Sequence, residues 1–118
     1  MSNDKVFSMA FSKVYPLLVA KAERKGKCRN EVYEVTEWLT GYTSEQLEEL
    51  LVSPISYGEF FENAPCLNEA RHLIKGSICG VKIETIEDPL MREIRYLDKL
   101  VDELAKGKSM ETILRRLP

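Results

Sequence analysis

The strongest constraint on this chain is the pair Asp88-Pro89. An aspartate at a helix start accepts hydrogen bonds from the first free backbone N–H groups. Proline suits the first helical position, where its missing N–H costs nothing. A helix therefore begins at Pro89. Leu90, Ile94, Leu97, Val101 and Leu104 then recur at spacings of four and three, while Arg92, Arg95, Lys99, Asp102, Glu103 and Lys106 fill the other side. Gly107 ends the helix, and Ser109 caps a shorter one running to about residue 117, with Met110, Ile113, Leu114 and Leu117 on one stripe. A helix with so long an apolar stripe must be covered by other elements.

The middle of the chain supplies them. Asn30 is placed to cap a helix over 30–40, whose Val32, Val35, Trp38 and Leu39 face inward and which Gly41 closes. Thr43 with Gln46, and Ser56 with Glu59, have the spacing at which two side chains reciprocally satisfy free backbone N–H groups. They predict helices over 44–52, carrying Leu47, Leu50 and Leu51 and stopped by Pro54, and over 56–63, carrying Phe60 and Phe61 and ending before Pro65. Near the N-terminus, Pro16 is tolerated only in a first turn, since deeper in a helix it costs about 3 kcal/mol. The expectation is a helix from about Ser12 to Lys25, terminated by Gly26, with residues 5–11 extended.

Between Asn68 and Glu87 the signals conflict. Leu73, Ile74 and Ile78 suggest a helix, glycines at 76 and 80 oppose it, and Val81, Ile83 and Thr85 alternate as in a strand. The fold expected is mainly α: a compact single domain over residues 1–118, with five or six helices and room for one short two-stranded β pair between residues 5–11 and 81–86.

Composition narrows the function classes. A length of 118 residues suits one domain, and 44% hydrophobic with 31% charged residues is an ordinary globular balance. No apolar run approaches the roughly 20 residues that span a bilayer. Ser8, Ser12 and Lys13 interrupt the N-terminal stretch where a signal peptide would be apolar, so the expected compartment is the cytoplasm. The odd cysteine set, Cys28, Cys66 and Cys79, has no CxxC spacing and writes neither a disulfide framework nor a zinc knuckle. A net charge of −2 gives no global attraction to nucleic acid or anionic membrane.

Several phrases carry a resemblance. They are Val14-Tyr15-Pro16 with Val19-Ala20-Lys21-Ala22-Glu23, Trp38-Leu39-Thr40-Gly41-Tyr42, Cys79-Gly80-Val81, and Glu87-Asp88-Pro89-Leu90-Met91 leading into Ile94-Arg95-Tyr96-Leu97-Asp98-Lys99-Leu100. Over nearly its whole length the chain resembles a family of small bacterial proteins known as domain-of-unknown-function family 2200. The resemblance implies a bacterial source and a single domain, and it implies no activity, substrate or catalytic residue.

The candidate sites must therefore come from the residues. Cys66, His72 and Cys79 would make a thiol or partial zinc site if the loop between them folds back, although buried cysteines more often behave as small apolar residues. Residues 71–79 and the stretch after Gly80-Val81, with Ile83 and Ile86 inward, have the outline of a helix-turn-helix. Its reading helix would turn Glu84, Glu87 and Asp88 toward phosphates, and Pro89 would cut it short, so nucleic acid is an unfavoured partner. The carboxylates Glu84, Glu87, Asp88 and Glu93 would serve acid–base chemistry or a hard cation, yet acids are common in first turns of helices. A basic cluster, Lys21, Arg24, Lys25, Lys27 and Arg29, would touch phosphate or an acidic partner, or simply offset the negative end of a helix dipole. Met91 and Leu100 widen the apolar side of the helix from Pro89 to Lys106, which would allow a homodimer. The reading that remains is a binding or interaction module without cofactor or membrane contact, whose partner is an unknown protein or a second copy.

Overall fold

The computed structural model describes residues 4–78 and 80–115. Its axis is the helix that Asp88-Pro89 announces, Pro89–Ala105, here α6. Asp88 Oδ1 accepts from the N–H groups of Leu90 and Met91 at 2.9 and 3.3 Å. Ile94, Leu97, Val101 and Leu104 are buried as the periodicity requires, and so are Met91, Tyr96, Leu100 and Glu103. A helix buried on so much of its circumference needs partners on several sides. α2 (Phe11–Glu23), α3 (Arg29–Thr40), α5 (Tyr57–Glu62) and α7 (Met110–Ile113) provide them, with α4 (Ser44–Leu51) behind α2 and α3.

Both reciprocal caps form as spaced. Thr43 and Gln46 exchange bonds of 2.9 and 3.1 Å at the start of α4, and Ser56 and Glu59 exchange bonds of 3.0 and 3.1 Å at the start of α5. The start of α3 differs from expectation: Cys28, not Asn30, occupies the capping position, and its N–H donates to Glu31 Oε1 at 2.9 Å. α3 ends at Gly41, whose φ of +84° is open to glycine at little cost.

The N-terminal expectation is corrected in two places. Residues Asp4–Phe7 form a short helix, α1, and α2 begins at Phe11, so Pro16 lies beyond the first turn. Phe11 and Tyr15 are both fully buried, and at about 1.5–3 kcal/mol each their burial outweighs the proline's cost. Between the two helices the chain is extended at Ala10, but it bridges to Ser56 rather than to residues 81–86. Phe11 N–H donates to Ile55 at 3.0 Å and Tyr57 N–H to Met9 at 2.7 Å.

The β pair exists elsewhere. Ser77–Ile78 (β1) and Val81–Lys82 (β2) form an antiparallel hairpin, with Gly80 at φ +78° in its turn. One turn of 3-10 helix on either side, Glu69–Leu73 and Ile83–Thr85, completes the segment. The C-terminal helix, expected to about residue 117, is Met110–Ile113, and residues 116–118, Leu117 among them, lie outside those described.

The core is one cluster. Phe60 is its centre, stacked on Phe11 at 4.3 Å and on Tyr42 at 4.7 Å, with Phe61 edge-on at 4.9 Å.

Candidate interaction site

α2 and α6 bring their C-terminal ends together, and a cavity of about 520 Å³ opens between them, lined by Lys21, Arg24, Lys25, Asp102, Ala105 and Lys106. The cations have a structural reason to be there, since two helix ends gather negative partial charge. Asp102 organises them. One carboxylate oxygen takes Lys21 Nζ at 3.3 Å and the other takes Lys106 Nζ at 3.1 Å. Partial burial pushes the Asp102 carboxyl up, but the hydrogen bonds from Lys106 and Lys21 outweigh it and hold the group below its ordinary value. Arg24 and Lys25 are exposed, and their side chains make no ion pair among the described residues.

The basic cluster read from the sequence is thus split. Lys21, Arg24 and Lys25 meet in the cleft, whereas Lys27 does not line it. Arg29 turns toward α4, lying 3.7 Å from Glu48 and 5.5 Å from the centre of the Tyr33 ring. Asp102 and Lys106 were not foreseen as members. Their spacing of four on one helix hinted at a pair, but nothing local shows that α2 lies beside them.

From the cleft, α6 continues as a recessed charged stripe. None of residues 90–105 is exposed, and the polar ones, Arg95, Asp98, Lys99 and Asp102, are half-buried. Arg95 holds Asp98 at 2.9 Å. Burial raises the Asp98 carboxyl, while Arg95 and Lys21 oppose the shift. Beside it, the Tyr57 hydroxyl is completely buried without a hydrogen-bond partner among the described residues, and burial first, then the Asp98 charge, pushes it well above its ordinary value. At its N-terminal end the stripe enters a second cavity of about 520 Å³, where Val81, Ile86 and Met91 form apolar walls beside Thr85, Glu87 and Arg95.

The other candidates receive less support. Cys66 is exposed, its N–H donating to Thr40 at 3.0 Å. His72 is also exposed, with Nδ1 3.4 Å from the Tyr96 hydroxyl. Cys79 lies outside the described residues. Among the described residues, no group of three or more His, Cys, Asp or Glu side chains is arranged to hold a metal ion. Three of the four carboxylates are occupied separately: Asp88 caps α6, Glu93 binds Arg71 at 2.9 Å, and Glu84 accepts from Gly76 N–H at 3.2 Å, while Glu87 edges the second cavity. The helix-turn-helix outline is overturned. Its first helix is a 3-10 turn followed by β1, and its reading helix is β2 followed by another 3-10 turn. Met91 and Leu100, which would have widened a dimer face, are buried within the chain.

The sequence pattern of an uncharacterized protein family conserved in bacteria, DUF2200, matches residues 5–115. This chain belongs to the DUF2200 family. The crystal structure of an uncharacterized protein, SP1917, is similar to this DUF2200 chain over 98% of its length and 94% of the other, at 50% identity and a TM-score of 0.92. A search of curated proteins finds no match. The DUF2200 assignment thus confirms the resemblance in the sequence and brings no activity with it. No described helix of this DUF2200 protein is long and apolar enough to cross a membrane.

Proposed function

We propose that this protein is a binding module that docks an acidic segment of a partner protein in the cleft between the C-terminal ends of α2 and α6. One observation carries the reading: Asp102 engages Lys21 and Lys106, while Arg24 and Lys25 line the same cleft exposed, with no ion pair among the described residues. Carboxylates arriving there meet cations that are already positioned. The carboxylate at the centre of the cleft and the chain's net charge of −2 speak against a phosphate polymer, which requires a broad cationic surface. The site needs no cofactor. We place the protein in the bacterial cytoplasm, a compartment that keeps exposed thiols such as Cys28 and Cys66 reduced.

Fluorescence anisotropy with a labelled oligoglutamate peptide tests this. The expected result is saturable binding that weakens with salt and falls about tenfold when Arg24→Glu and Lys25→Glu are combined, since each exposed pair is worth up to about 1 kcal/mol. Absence of saturable binding, insensitivity to the charge reversals, or tighter binding to duplex DNA of matched charge would overturn it.

A further inference from the structure

The two cavities open on the same face of α6, along which residues 91, 95, 98, 102 and 106 follow one another at helical spacing. Met91 and Arg95 line the first, Asp102, Ala105 and Lys106 the second, and the strip of that face between them, here the trough, carries the half-buried Asp98 and Lys99. Lys21 reaches across from α2 to Asp102, and on the opposite edge Lys99 Nζ reaches the Ser77 carbonyl of β1 at 3.1 Å. From Arg95 to Lys106 the helix rises about 16 Å, and from Met91 to Lys106 about 22 Å, at roughly 1.5 Å per residue. About five to seven residues of extended chain cover that length at roughly 3.3 Å each, and six keeps both end side chains on one side.

The ends of this trough differ in chemistry. The end beside α2 is cationic, with Lys21, Arg24, Lys25 and Lys106. The end beside the hairpin offers Val81, Ile86 and Met91, and Val81 stands 41% exposed at its lip. Large apolar side chains left partly in water at the edge of a cavity favour an apolar group that covers them.

We infer that the trough binds one extended peptide segment of a partner protein, with an apolar side chain in the cavity at Val81 and Met91 and acidic side chains in the cleft at Lys25 and Lys106, about six residues apart. The inference rests on the proposed acidic docking and adds a second anchor and a spacing. An extended segment suits the trough because alternate side chains point the same way, so both anchors face the floor. Charge complementarity selects the acidic end, and Arg95, already paired with Asp98, keeps the floor between the anchors polar.

The test uses peptides in which a run of glutamates and one leucine are about six residues apart, in both orders, beside the same peptides with serine for leucine and with the spacing cut to about three residues. In one order the leucine peptide should bind about tenfold tighter than its serine counterpart, the gain from covering one aliphatic side chain. Val81→Asp, at an exposed position, should remove that advantage, so that the leucine and serine peptides bind the variant equally. Equal affinity of the leucine and serine peptides, a leucine gain independent of spacing, or an advantage that survives Val81→Asp would overturn the trough. If glutamate binding still responds to Lys25→Glu in that event, the cleft reading stands alone. If no peptide binds at all, both fall together.

Discussion

The helical bundle and the segment from Cys66 to Glu87 lean on the same helix by different means. In the bundle, α2, α3 and α5 press fully buried rings and aliphatic chains such as Phe11, Leu39 and Phe60 inward, and each of α4 and α5 starts from a cap contained within its own first turn. The segment drops Ile74, Ile78 and Ile83 inward, but it is moored by long polar side chains of α6. Glu93 takes Arg71 at 2.9 Å, Lys99 takes the Ser77 carbonyl at 3.1 Å, and Arg92 donates to the Ile86 carbonyl. The bundle is specified locally and then packed. The segment is tied largely to a helix that comes after it in the chain, and its Val81, Thr85, Ile86 and Glu87 line one of the two cavities.

That contrast breaks first, and with the largest effect, at Phe60. Phe60→Ala should cost about 3–5 kcal/mol and lower the urea midpoint for the whole protein, because the ring is the hub of the core. Separate transitions for bundle and segment would show that they are not one cooperative unit.

Gly41 packs directly against the start of the segment. A Cβ there would lie 2.8 Å from Cys66 N, at a φ of +84° that an alanine tolerates poorly. Gly41→Ala should cost about 2 kcal/mol or more and expose the amides of Cys66 and Asn68, which now donate to Thr40 and Leu39 at 3.0 Å, to hydrogen exchange.

Arg71→Ala sharpens the comparison further. It leaves the Glu93 carboxylate, 13% exposed, without its cation, and should cost about 2 kcal/mol. Faster exchange should appear over residues 67–87 while α2 to α5 keep their protection. Uniform loosening of both regions would abolish the distinction drawn here.

The smallest effects concern two acids on the α6 stripe that titrate in opposite senses. Asp102 is lowered in the folded state, so its contribution is present above the unfolded value of about 3.9 and is lost as pH falls through the folded one. Asp98 is raised, so its contribution is full below about 3.9 and is lost as pH rises through its folded value. Asp102→Asn should flatten the acid limb of the stability profile and Asp98→Asn the limb above it, each by about 0.5 kcal/mol or less after screening. Urea denaturation across pH would show both, and parallel profiles for the two variants would contradict the assignment.

What could be read in the sequence follows the same divide. Asp88-Pro89, Thr43 with Gln46 and Ser56 with Glu59 were legible because cap and partner lie within three residues of one another. The start of α3 carried a readable signal at Cys28 and Glu31, hidden because cysteine is an unusual capping residue. The start of α2 was misplaced because two buried rings override a proline, a balance visible only once the core is assembled. The β pair was correct in kind and wrong in partner, since a hairpin of two residues per strand is too short for alternation to show. Three of five clustered cations do share a cleft, but the acid that binds the first of them, Lys21, is 81 residues away. No local pattern spans that distance.

The central position of α6 has a consequence during synthesis. The chain grows from its N-terminus, so the rings of α5 leave the ribosome well before residues 89–105 can cover them. Roughly 40 residues at roughly 5–20 per second make that interval about 2–8 s. Throughout it, Phe60 and Phe61, buried in the finished core, belong to a nascent chain whose axis has not yet been made. The floor of the trough is delivered by the same late helix. A prematurely terminated product therefore lacks the helix that closes the core and on which both cavities open.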